Sequence, residues 1–226
     1  LKEELKSKKL GTFETTVVFE EDWAHNWKKY YKPLKISEDL VIVPAWEDYE
    51  SAEGEELIYI NPGMAFGTGT HETTFMCMEV LTEYIKGGEE VFDIGTGSGI
   101  LSLVALKLGA KHAVGVDLDP VCISAAEENR DLNQLTGSYT VHQGNLLDVV
   151  EGKADVIVSN IMAEVIVTML GDLKDHLREE GIFIASGIIQ KRRDMVKNAL
   201  KDHGFSVIDE REDGEWICLV AKRLEA

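Results

Sequence analysis

Glycine recurs at every second position in Gly95-Thr96-Gly97-Ser98-Gly99, set between the apolar runs "VFDI" and "ILSLVALKL". Glycines at a strand-to-helix junction permit a tight turn, let a ligand approach the backbone, and aim helix N–H groups at it. A dinucleotide loop would place its third glycine at position 100, which is Ile100. The alternate spacing, with Asp93 two residues ahead, fits S-adenosylmethionine better than a nicotinamide dinucleotide. Asp117 closes the next apolar run 22 residues after Gly95, where a carboxylate can take both ribose hydroxyls. A merely structural turn has no use for that carboxylate. Asp119 is the weaker ribose partner, because Asp119-Pro120 reads as a helix cap.

A second position with chemical reach is Asn160, which ends the apolar run "ADVIVSN". At the carboxyl edge of a parallel sheet, beside a cofactor crevice, its amide carbonyl can accept a hydrogen bond from an incoming amine. The plainer alternative is that Asn160 caps the helix after it. A further glycine-threonine stretch, "NPGMAFGTGTHETT", runs from Asn61 to Thr74 and ends 21 positions before Gly95. Thr73 and Thr74 stand where helical spacing begins (Met78, Leu81, Ile85), placed to cap that helix while facing a ligand. "HETTF" opens like a zinc-protease helix, but its fifth position is Phe75, so the second histidine ligand is missing. His25, His112, His142, His176 and His203 show no ligand spacing either, so no metal is expected. His71 reads as a hydrogen-bonding fixture more readily than as a base.

The elements that must position these residues alternate steadily from residue 88 onward. Strand-like runs "EVFDIG", "HAVGVDLD", "YTVHQG", "ADVIVSNI" and "GIFIASGI" are separated by helical runs starting near Gly99, Pro120, Met162 and Ile189. Strands alternating with helices predict crossover units and a parallel sheet covered on both faces. "FSVIDERED" and "EWICLVAKRL" meet around Asp213-Gly214, a hairpin signal, so the sheet should end in an antiparallel pair. The expected fold is α/β, with seven strands, mostly parallel. Ahead of it, residues 20–44 predict a connecting helix, a turn at Pro33 and a short strand. "LKEELKSKKLG" and the strand-like "TFETTVVF" have nothing nearby to pair with, which suggests that a further region once preceded them.

The chain has 226 residues, 44% of them apolar, room for one ordinary domain and an appendage. No run approaches a membrane span, and no secretory signal opens the sequence. Three widely spaced cysteines (Cys77, Cys122, Cys218) suit reduced thiols and a cytoplasmic location. The formal net charge of −18 repels phosphate backbones and would steer in a basic protein partner. "NWKKYYKP" sets two tyrosines among three lysines, and against that charge it reads as a brace for a linker rather than a nucleic-acid contact.

"PGMAFGTGTHETT", the glycine loop, "GVDLDP" and "NIMA", in this order, resemble the methyltransferases of large-subunit ribosomal protein eleven, the PrmA family. The resemblance runs from about Glu20 to "GEWICLVAKR". It implies a class I, Rossmann-like S-adenosylmethionine-dependent methyltransferase that N-methylates amino groups of a basic ribosomal protein. By position, it implies cofactor contacts at Thr74, with Phe66 and Thr73 close by, and at Gly95, Gly97, Asp117 and Asn160. The first stretch would then fold over the methionine end of the cofactor. Asn145, where many methyltransferases carry an Asp against adenine, is a further candidate. Departures are mild: Asn61 replaces a more usual acidic residue, and Met162 replaces Leu. The implied organisation is a substrate-recognition remnant over 1–20, a linker over 21–50 and a catalytic domain over 51–226. Two alternatives keep the fold: a methyltransferase for RNA or a small molecule, and a nucleotide-binding module without activity.

Overall fold

The structure is a computed structural model that describes residues 31–61, 65–67 and 69–224. The expected remnant, the strand "TFETTVVF" and the connecting helix lie outside those residues. The remainder, from Pro33 on, forms one compact unit. Among the described residues no helix is long and apolar enough to cross a membrane.

Seven strands form the main sheet: β4 (Glu90–Ile94), β5 (His112–Asp117), β6 (Tyr139–Gln143), β7 (Ala154–Asn160), β8 (Leu177–Ile189), β9 (Phe205–Asp213) and β10 (Trp216–Arg223). Their order is β6-β5-β4-β7-β8-β10-β9. β4 to β8 run parallel, and β10 lies antiparallel to both β8 and β9, so the sheet ends in the expected hairpin. From β4 the chain winds outward through β5 to β6, then crosses back to β7 on the other side of β4. That reversal opens a crevice at the carboxyl ends of β4, β5 and β7, the place where ligands bind in such sheets.

Helices cover both faces. α1 (Glu72–Tyr84), α2 (Ile100–Lys107) and α3 (Pro120–Leu132) belong to one side, and α4 (Ala163–Met169), α5 (Leu173–His176) and α6 (Arg193–Asp202) to the other. β4 shows why the sheet needs both. Its Val91 points into the core built on Cys77, Leu81 and Val104, while Phe92 and Ile94 enter the core built on Ile166, Leu173 and Leu200.

The expected short strand is β2 (Leu40–Pro44), wholly buried. It belongs to a second sheet of order β1-β2-β3, with β1 at Leu34–Lys35 and β3 at Glu56–Ile60. β2 and β3 pair in parallel, from Leu40 opposite Glu56 to Pro44 opposite Ile60. The outer edge of β3 is closed by side chains of α3 and of its C-cap, Asn133. Asn133 takes the Tyr59 N–H at 2.9 Å and donates to the Tyr59 carbonyl at 2.6 Å. Asn129 does the same for Asn61, at 2.7 and 3.1 Å. The match is geometric: four residues of helix advance about 6 Å, and two residues of strand about 6.6 Å.

Candidate cofactor and acceptor site

The glycine loop leaves β4 with Gly95, Gly97 and Gly99 all at positive φ (80°, 54° and 85°). At Gly97 the reason is also steric, because a Cβ there would stand 2.5 Å from the Phe66 carbonyl oxygen. The loop is braced from beneath by buried Asp93. Its Oδ2 accepts from Thr96 Oγ1 (2.7 Å), Ser102 Oγ (2.9 Å) and Ser102 N–H (3.2 Å), and Thr96 Oγ1 also meets the Tyr139 hydroxyl at 2.9 Å. Oδ1 has no hydrogen-bond partner among the described residues. Burial drives the Asp93 carboxyl up to about 6, against the pull of the Thr96 and Ser102 hydrogen bonds.

Asp117 ends β5 beside this loop. One carboxylate oxygen accepts the Gly97 N–H and the other the Asp119 N–H, both at 3.0 Å. Each oxygen keeps acceptor capacity for a hydroxyl. Asp119 is spent as the cap of α3, accepting the Val121 N–H at 2.8 Å. Asn160 ends β7, and its Nδ2 donates to Thr74 Oγ1 at 3.1 Å. Neighbouring Ser159 ties that strand end to the Ile94 carbonyl at 2.8 Å.

These residues border a cavity of about 400 Å³. Gly95, Gly97, Asp117, Asn145 and Asn160 line it, together with Phe66, Met162 and the apolar Val116, Leu118, Leu146 and Val165. A second cavity, of about 260 Å³, shares Phe66, Asn160, Ile161 and Met162 with the first and adds His71, Thr73, Gly187 and Trp216. The structure thus brings every predicted residue to one place except that Thr74 lines neither cavity and reaches them through Asn160. The helix cap is a correction: it falls to His71 and not to Thr73 or Thr74. The imidazole Nδ1 accepts the Thr73 N–H at 3.3 Å and lies 2.9 Å from Thr73 Oγ1. Its ring stands edge-on between Phe66 and Trp216, at centroid distances of 5.5 and 5.1 Å. Trp216, in the terminal hairpin, carries no motif and was not foreseen.

A family model described as ribosomal protein L11 methyltransferase (PrmA) matches residues 1–224. The chain belongs to that family. A ribosomal protein L11 methyltransferase of Clostridium perfringens (strain SM101 / Type A) is 56% identical over 224 residues, 97% of this chain and 71% of that protein. The crystal structure of a ribosomal protein L11 methylase from Lactobacillus delbrueckii subsp. bulgaricus aligns with a TM-score of 0.81 at 37% identity, covering 86% of this chain and 100% of the other. The B. subtilis M1A22 tRNA methyltransferase TrmK aligns at a TM-score of 0.56 and 27% identity, over 65% of this chain and 64% of its own. The sheet alone therefore does not name the acceptor; the pockets must.

S-adenosylmethionine is the cofactor of this methyltransferase family. The larger cavity suits it. Its volume lies in the range of small-molecule sites. Gly95 and Gly97 line it without side chains, Asp117 offers a carboxylate, and its apolar lining residues can cover an adenine face.

Proposed function

We propose that this chain N-methylates amino groups, lysine side chains or an N-terminal amine, of ribosomal protein L11, with S-adenosylmethionine held in the larger cavity and the amine entering by the smaller. The observation that supports this most is that the two cavities share Phe66, Asn160, Ile161 and Met162 in their linings. When bound, S-adenosylmethionine supplies a methyl group activated by a sulfonium. Asp117 takes the ribose hydroxyls, the glycine loop admits the ligand to the backbone, and Asn145 and the apolar lining residues flank the base. Asn160 holds its amide by donating to Thr74, which leaves the carbonyl oxygen to accept from the amine and direct its lone pair.

An ammonium has no lone pair, so the amine must lose a proton before it attacks. The aromatic walls of the smaller cavity help, because a poorly solvated amine favours its neutral form. Among the described residues lining that cavity His71 is the one ionisable side chain, and its Nδ1 is engaged as a helix cap. The proton therefore passes to water, and His71 serves to hold Phe66 and Trp216 apart. The net charge of −18 favours a basic protein over RNA as the acceptor.

The deciding experiment is transfer of labelled methyl groups to purified L11, to ribosomal RNA and to tRNA, with wild-type protein and Asn160→Ala. L11 should be labelled alone, and the variant should lose most of kcat while keeping cofactor affinity within a few-fold. Label on RNA but not on L11 would overturn the reading.

A further inference from the structure

The two glycine stretches are fastened together at Ser98, a fully buried residue of the cofactor loop. Its N–H donates to the Phe66 carbonyl at 2.9 Å, and its Oγ to the next carbonyl, Gly67, at 2.5 Å. Its own carbonyl accepts from Asn129 Nδ2 at 2.8 Å, and the same amide group grips Asn61, where the first stretch begins. The fit is close on both sides. A Cβ at Gly67 would stand 2.8 Å from Ser98 Oγ, and the one at Gly97 would strike Phe66.

Among the described residues, little else fixes Phe66. The residue is 58% exposed, so burial does not hold its ring, and its one ring contact among the described residues is the edge of His71. Where that ring stands is decided by the backbone at Phe66-Gly67, and that backbone is held by Ser98. Phe66 is one of the residues that line both cavities, whereas Asp117 lines only the larger.

We infer that Ser98 is a positioning residue: it clamps the Phe66–Gly67 turn over the junction of the two cavities, so that the part of the cofactor beyond the ribose is gripped only when this clamp is made. The inference rests on the cofactor reading above and adds a role for a residue that need not touch the cofactor. Without the hydroxyl, the Gly67 carbonyl loses its donor, and ordering the turn becomes a cost charged against ligand binding. The ribose and base are held from β5 and β6 and should not notice.

The test compares two ligands on wild-type protein and Ser98→Ala by calorimetric titration. S-adenosylhomocysteine extends past the ribose to sulfur and an amino-acid tail, whereas adenosine stops at the ribose. The variant should bind S-adenosylhomocysteine about tenfold more weakly, the scale of one buried hydrogen bond, and adenosine as well as wild type does. Equal weakening of both ligands would mean that Ser98 merely shapes the cofactor loop, and no weakening of either would mean that the clamp is idle; each overturns the inference. Wild-type protein that bound neither ligand would instead overturn the cofactor reading, and this one with it. Far-ultraviolet circular dichroism and thermal unfolding report separately whether Ser98→Ala is folded.

Discussion

Removing the Asp117 carboxylate is the sharpest test of where the cofactor lies. Asp117 accepts one backbone N–H on each oxygen, from Gly97 and from Asp119, both at 3.0 Å. Those bonds set the carboxylate plane and leave one direction on each oxygen for a ribose hydroxyl. In Asp117→Ala both N–H groups face an open cavity and can take water, so the free protein loses little. The complex loses hydrogen bonds to a charged acceptor, worth about 1.5–3 kcal/mol in total, which is roughly a 10- to 150-fold rise in Kd. Asp117→Asn should fall between, because its amide can replace one acceptor but must point a donor at an N–H. Calorimetry with S-adenosylhomocysteine measures the loss, and its 2′-deoxy analogue completes a cycle. If the carboxylate binds that hydroxyl, deleting the hydroxyl should matter in the wild type and hardly at all in Asp117→Ala. Additive losses, or unchanged affinity in the variant, would place the ribose elsewhere.

Other expectations follow from single residues. Because burial raises the folded carboxyl of Asp93 to about 6 from an ordinary 3.8, the folded protein holds this proton more tightly than the unfolded chain does. Its contribution is fully present below pH 4 and is lost as pH rises to 6, by about 3 kcal/mol. Urea midpoints measured from pH 4 to pH 7 should show this slope in wild type relative to Asp93→Asn, and parallel curves would refute it. Asn133→Ala leaves both polar groups of Tyr59 without their side-chain partner and should destabilise the protein by about 2–4 kcal/mol in chemical denaturation. Trp216→Ala should raise KM for L11 while leaving the Kd for S-adenosylhomocysteine within twofold, because Trp216 lines the smaller cavity and not the larger. A shared loss would merge the two pockets into one.

What could be read in the sequence was whatever a short window determines. The glycine loop, the strand ends at Asp117 and Asn160, and the hairpin at Asp213-Gly214 each carry their own local pattern, and all stand where the pattern puts them. β3 escaped notice because "ELIYI" is brief and its edge is closed by residues far away, 74 positions on for Tyr59 and 68 for Asn61. A hint was present: asparagine is a mediocre helix former, and Asn129 in α3 stands four positions before Asn133, the C-cap of that helix. The cap at His71 was missed because a threonine pair is the commoner capping signal, while imidazole seldom does that work.

The smaller cavity could not be foreseen at all. Trp216 comes to His71 only because β10 inserts next to β8, an outcome of sheet order and not of any motif.

The spacing between the two glycine stretches, in contrast, has a direct physical cause. From Thr74 the chain follows the rest of α1, to Tyr84, which carries it about 16 Å away from the crevice. After a short turn, the five residues of β4 bring it back about 17 Å along the sheet. Out and back are nearly equal, so a chain that leaves the crevice at Thr74 returns to the same edge of the sheet at Gly95. The 21 positions between them are the length of one helix-turn-strand excursion. Two loops so spaced come face to face at the crevice, and Ser98 bonds the one to the other.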